Sequence, residues 1–129
     1  MVTYTLEPDL SAAEFVDVLR RSTLAERRPV DDLVRVDRML RGANLILTAR
    51  ADTRLIGVAR SITDFAYCLY LSDLAVDAAW QGRGVGQELL RRTKAAVGEG
   101  VTCWLVSAPK AVSFYERIGL ERPPAAFRF

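Results

Sequence analysis

Gln81-Gly82-Arg83-Gly84-Val85-Gly86 is the stretch on which the fold turns, with Leu74-Ala75-Val76 before it and Leu89-Leu90 after it. The run from Tyr67 to Val76 is apolar on both faces, as a central strand is. Asp77 to Gln81 breaks it, and the glycines follow. From Val85 the apolar residues fall at Val85, Leu89, Leu90, Ala96 and Val97, a helical period with Arg91, Arg92 and Lys94 outside it. The segment therefore predicts a strand, a glycine-dense turn and the start of a helix. The first N–H groups of a helix lack internal partners and sit at the positive end of its dipole. Glycines let a phosphate approach such groups closely. The glycine spacing alone fits an empty turn as well as a phosphate site. It does separate two nucleotide folds. A Gly-x-Gly-x-x-Gly fingerprint would need its third glycine one residue later and an acid ending the next strand, and Thr102 to Ser107 holds none. A P-loop needs Gly-Lys-Ser/Thr, and Gly86-Gln87-Glu88 is not that.

Upstream, Val2 to Glu7 alternates and reads as a strand. Ser11 with Glu14 forms a capping box before the helical stripe Phe15, Val18, Leu19. Ser22 to Val30 reads as a loop, and Asp31 is the expected cap of a second helix carrying Leu33, Val36 and Leu40. Asn44–Arg50 and Arg54–Ile62 are β-rich runs joined by a short polar turn, an antiparallel hairpin. Downstream, Gly98 and Gly100 stop the helix, and Val101–Val106 reads as a short buried strand. Pro109 opens a last helix through Phe114, Tyr115 and Ile118 to Gly119, and Ala126–Phe129 is a candidate closing strand. The order β-α-α-β-β-β-α-β-α-β predicts a mixed α/β sheet, α+β-like rather than doubly wound.

The chain has 129 residues, half of them hydrophobic, which suits a single domain over 1–129 with its own core. A net charge of +2, from 18 basic and 16 acidic residues, gives no support for a nucleic-acid partner. The absence of histidine removes the commonest general base, serine-protease-type triads and most zinc sites, so no metal is expected. Cys68 and Cys103 stand alone in apolar runs and read as reduced core thiols. The first residues lack a charged segment followed by an apolar one, and no apolar run approaches the ~20 residues of a membrane span. The expectation is a cytoplasmic protein with no membrane partner.

Gln81-Gly82-Arg83-Gly84-Val85-Gly86 resembles the Gln/Arg-x-x-Gly-x-Gly/Ala signature of the GNAT N-acetyltransferases, with Leu74-Ala75-Val76 and Leu89-Leu90 where that superfamily has them. Ala111-Val112-Ser113-Phe114-Tyr115-Glu116-Arg117-Ile118-Gly119-Leu120 resembles its Ala-x-x-x-Tyr-x-x-x-Gly-Phe helix, with Leu120 for Phe. The resemblance implies a mostly antiparallel mixed sheet, a splayed central pair of parallel strands, and helices on both faces. It implies acetyl-CoA as cosubstrate. Leu74, Ala75 and Val76 would pair their backbone with the pantetheine arm, and Gln81, Gly82, Arg83, Gly84, Val85 and Gly86 would hold the pyrophosphate. Tyr115 would be the catalytic acid that protonates the departing thiolate. The implied activity is transfer of an acetyl group to a primary amine, of a small molecule or a protein, by direct attack in a ternary complex. The alternative is a non-catalytic acyl-CoA-binding or regulatory domain on the same fold.

Ala108 and Pro109 stand where the family often has an asparagine that contacts the pantetheine. The position of the family's usual glutamate base holds Tyr70, which leaves Asp73, Asp64 or a water relay to take the amine's proton. Arg27-Arg28 would disfavour cationic amines if the pair lined the acceptor pocket, or would be a solvated pair. Few residues follow Leu120, so Phe127 and Phe129 have little chain to cover them, and a homodimer is expected.

Overall fold

The computed structural model describes Met1–Phe129 in full. Its elements are β1 (Val2–Leu6), α1 (Ala12–Ser22), a 3₁₀ turn (Leu24–Arg27), α2 (Leu33–Gly42), β2 (Leu45–Ala51), β3 (Arg54–Thr63), β4 (Cys68–Val76), a 3₁₀ turn (Ala78–Trp80), α3 (Val85–Val97), β5 (Thr102–Leu105), a 3₁₀ turn (Pro109–Ala111) and α4 (Val112–Arg117). The five strands lie in the order β1-β2-β3-β4-β5, antiparallel except for the parallel β4–β5 pair. The mixed sheet is as expected. The parallel pair sits at the sheet's edge rather than its centre, because residues 121–129 add no strand beyond β5.

Helices cover both faces. On one, Phe15, Val18 and Leu19 of α1 and Val36 and Leu40 of α2 pack against Ile46, Leu55, Val58 and Ala75. On the other, Val85, Leu89 and Val97 of α3 pack against Leu47, Ile56, Leu69 and Leu71. Each such side chain taken out of water contributes about 1.5–3 kcal/mol before the entropy cost of ordering it. Gly57 brings α3 close: a Cβ there would meet Leu89 Cδ1 at 3.1 Å and Val85 Cγ1 at 3.2 Å. The glycine of β3 thus fixes the height of α3's first turn over the sheet.

Local signals behave as read, with exceptions. Ser11 Oγ accepts from the Glu14 N–H, but the Glu14 carboxylate turns to Arg50 instead of closing the capping box. Asp32, not Asp31, caps α2 by accepting from Arg35 N–H at 3.0 Å, while Asp31 accepts from Arg20. The thiols Cys68 and Cys103 are free and exposed, not core groups. β5 is not a buried strand either, since Thr102, Cys103 and Trp104 are all exposed. Cys103 and its β5 neighbours lie on an edge strand with no helix packed over it, whereas Cys68 is the first residue of β4, beyond the last β3–β4 pair Thr63↔Leu69.

Candidate functional site

β4 and β5 pair from Cys68↔Thr102 to Leu71↔Leu105 and no further, although β4 continues to Val76. The point of divergence coincides with a bulge. Arg60 pairs with Asp73 and Ser61 with Leu71, so Ser72 has no partner on β3. Beyond it, the Asp77 N–H donates to Ile56 C=O at 2.8 Å. Bonded and non-bonded pairs alternate along an antiparallel ladder. Ile56–Asp77 and Val58–Ala75 are therefore bonded pairs, and Gly57–Val76 and Ala59–Leu74 are not. The backbone N–H and C=O groups of Leu74 and Val76 point away from β3, into the gap that β5 has left. Ala75 spends its backbone on β3 and its side chain in the core, so its part is to hold the strand.

The Gln81–Gly86 loop closes one end of that gap. Gln81 Nε2 donates to Val76 C=O at 3.0 Å, tying the loop to the strand end. Gly82 has φ +77° and Gly84 φ +84°, left-handed conformations strained for other residues, and a Cβ at either would face open space. Glu88 N–H is the first in α3 to find an acceptor, Gly84 C=O at 3.0 Å. The N–H groups of residues 82–87 make no bond within the protein. A run of free N–H groups around a left-handed turn, at the positive end of a three-turn helix, suits an anion. The Arg83 guanidinium lies 4.7 Å over the Trp80 ring. Stacking uses its face and leaves its N–H edge without a protein partner. A shallow polar depression continues the site over Gly84, Gln87, Glu88 and Arg91. Glu88 is bonded by Arg91 and Arg92, which hold its carboxyl down to about 2. Its charge is thus offset beside the helix terminus.

Gly86 plays a different part from the other glycines. Its missing Cβ makes room for Phe114 Cζ, 3.3 Å from that point, with Val76 Cγ2 at 3.7 Å. The end of β4, the first turn of α3 and α4 meet there. Tyr115 follows, its ring edge-to-face on Phe114 at 5.1 Å between centroids. It is half-buried, and burial pushes its phenol above the ordinary value of 10.0. Its hydroxyl makes no hydrogen bond to the protein and is not sealed from solvent.

The carboxylates read as candidate bases are occupied. Asp73 is 0% exposed and accepts from the guanidinium Nε of both Arg28 and Arg60. Asp64 accepts from the N–H groups of Ala66, Tyr67 and Cys68, which hold its carboxyl below the usual range. Arg28 is thus mostly buried and paired with Asp73, while Arg27 is exposed. Nothing in the sequence marks Asp77, next to the end of β4. It caps the 3₁₀ turn through Ala79 N–H and pairs with Arg21, which also donates to Leu55 C=O. Burial works to raise the Asp77 carboxyl, but these bonds win and lower it.

The family model of the acetyltransferase (GNAT) domain matches residues 19–126. The chain is 29% identical over 79 residues to the Arabidopsis thaliana protein named GCN5-related N-acetyltransferase 2, chloroplastic, covering 60% of this chain and 31% of that protein. It spans about a third to a half of the length of the curated relatives it matches. Among solved structures, a probable acetyltransferase from meticillin-resistant Staphylococcus aureus superposes with TM-score 0.82 at 19% identity, over 100% of this chain and 98% of that one. An aminoglycoside N-acetyltransferase in complex with CoA superposes with TM-score 0.73 at 16% identity, over 100% and 93%. At these identities the superpositions speak to the fold.

Proposed function

The chain belongs to the GNAT acetyltransferase family, and from that premise we propose that it transfers the acetyl group of acetyl-CoA to a primary amine in the gap between β4 and β5. The observation that carries this reading is the junction of two unpaired sets of backbone donors: those of Leu74 and Val76 along β4, and the free N–H run of residues 82–87. The residues fit the cosubstrate. The loop suits its pyrophosphate, with Arg83 at the rim, and the strand offers an edge for the amide-bearing pantetheine arm. No metal is invoked.

The amine nitrogen attacks the thioester carbonyl carbon, and its electron pair forms the C–N bond. A cleft-facing N–H, that of Leu74 or Val76, bonds the oxygen as it becomes negative, and being fixed beforehand costs no reorganisation. Collapse breaks the C–S bond, and Tyr115 gives its proton to the leaving thiolate. The amine's own proton leaves through water, because Asp73 and Asp64 are committed elsewhere. On the acceptor side, Tyr70 and Trp104 lie in register on adjacent strands and are both exposed. The face offers aromatic surface, which favours a flat or apolar amine over a polycation.

Release of CoA thiol, followed with a thiol reagent across a panel of amino acids, aryl-alkyl amines, polyamines, aminoglycosides and lysine peptides, tests the reading. The expected result is amine-dependent release with at least one member. Tight CoA binding without release against any amine would favour a non-catalytic acyl-CoA-binding domain.

A further inference from the structure

Ser72, the bulged residue of β4, is held from two sides. Arg28 Nη2 donates to Ser72 C=O at 2.7 Å, and Arg60 Nη2 donates to Ser72 Oγ at 2.8 Å. The same two guanidiniums share the neighbouring carboxylate: Arg28 Nε bonds Asp73 Oδ1 and Arg60 Nε bonds Asp73 Oδ2. Their remaining donors go to backbone, Arg60 Nη1 to Met39 C=O at 3.1 Å and Arg28 Nη1 to Arg27 C=O at 2.8 Å. Asp73 is 0% exposed and Arg60 5%. The cluster therefore joins β3, the β4 bulge, the end of α2 and the segment after the first 3₁₀ turn.

Stability is a weak reason for such a cluster. Buried ion groups of this kind are often replaced by apolar packing without net loss. What the cluster does have is position. A bulge bends its strand and increases its twist, and this one falls on the residue after the last β4–β5 pair, Leu71↔Leu105. We propose that the Arg28–Asp73–Arg60 cluster locks the bulge at Ser72 and so sets the width of the gap that receives the pantetheine arm, making Arg28 and Asp73 positioning residues. This rests on the acetyl-CoA reading. Without the lock, Ser72 can pair or relax, β4 can run on beside β5, and the cleft-facing groups of Leu74 lose their room. The Gln81–Gly86 loop touches none of the cluster, so the nucleotide end of the ligand is held independently.

Calorimetric titration with two probes separates these effects: CoA, and 3′-phosphoadenosine 5′-diphosphate, which has the nucleotide end without the arm. The expected result is that wild-type protein binds CoA more tightly than the nucleotide. Arg28→Met keeps the stem and removes the three donations. It weakens CoA by tenfold or more and leaves the nucleotide within twofold. Asp73→Asn acts in the same direction, and Arg28→Lys, which keeps the charge and can make one of the bonds, falls between. Circular dichroism melting checks that each variant is folded at the titration temperature. Equal weakening of both probes would assign the cluster to general stability and overturn the proposal. So would unchanged CoA affinity in Arg28→Met. A wild-type protein that binds neither probe would instead remove the acetyl-CoA reading, and this proposal with it.

Discussion

Phe114 Cζ lies 3.3 Å from the point where a Cβ on Gly86 would sit. That contact joins the two segments that carry the family resemblance, the glycine loop and the tyrosine helix, through a ring packed on a missing side chain. The last glycine of the signature is thus a packing glycine, whereas Gly82 and Gly84 are conformational ones.

The contact predicts a size series. Gly86→Ala asks the ring to give by a few tenths of an ångström and gains helix propensity of about 1 kcal/mol, so its melting temperature stays near wild type. Gly86→Val overpacks the contact and costs about 1–3 kcal/mol. It also displaces Phe114 and with it Tyr115, lowering turnover. Wild-type melting and turnover in Gly86→Val would show that Phe114 does not pack there.

Tyr115→Phe removes a hydroxyl that makes no bond within the protein, so folding survives. Loss of a general acid lowers kcat by roughly 10²–10⁴-fold, with a much smaller change in KM for acetyl-CoA. Because burial raises the phenol above its ordinary 10.0, the acid stays protonated through neutral pH. Wild-type turnover therefore falls only as pH rises through that raised value, and the variant lacks this limb. A pH–rate profile with the same high-pH limb in both proteins would take Tyr115 out of the chemistry.

The acid limb of stability is set elsewhere. Glu7 is held below its ordinary 4.5 first by its bonds to Arg50, with Thr48 assisting and burial opposing. A carboxyl lowered in the folded state contributes stability that is fully present above its unfolded pKa and is lost as pH falls through the folded one. Glu7→Gln should cost about 1–2 kcal/mol at pH 7, and the difference from wild type should shrink as pH drops below 4.5. Chemical denaturation at several pH values measures this. A cost that stays constant from neutral to acid pH would contradict it.

How much of this was legible in the sequence follows from reach. The strand, glycine turn and helix at residues 67–97 are local signals, as are the hairpin and the Ser11 cap, and each stands where it was read. The role of Asp73 was not legible, because its partners are Arg28, 45 residues away, and Arg60, 13 away on the next strand. A carboxylate beside a catalytic motif reads as a base until the arginines that fold onto it are known. The exposure of Cys68 and Cys103 is not legible for the converse reason: an apolar run looks the same whether or not something covers it. The expected strand at Ala126–Phe129 is absent, and residues 121–129 carry no regular structure.

That open edge motivates an assembly prediction. Trp104 is 49% exposed and Val106 70%, on or beside an unpaired strand edge, and Phe127 and Phe129 are exposed as well. Edges of this kind pair or are covered. We propose a homodimer through this edge, expected in sedimentation as a species of twice the chain's 14.3 kDa. A monomer at high concentration would dispose of it.

On this reading the pyrophosphate of acetyl-CoA is held at the free N–H run of residues 82–87. Nothing lies within 4 Å of a would-be Cβ on Gly84, so Gly84→Glu puts a carboxylate where a pyrophosphate would lie, in addition to the strain that φ +84° places on any side chain there. Calorimetric titration of CoA into wild type and into folded Gly84→Glu measures this. The wild type is expected to bind CoA, and the variant to lose tenfold or more in affinity, at least ~1.4 kcal/mol. Equal CoA affinity in the two proteins would contradict it.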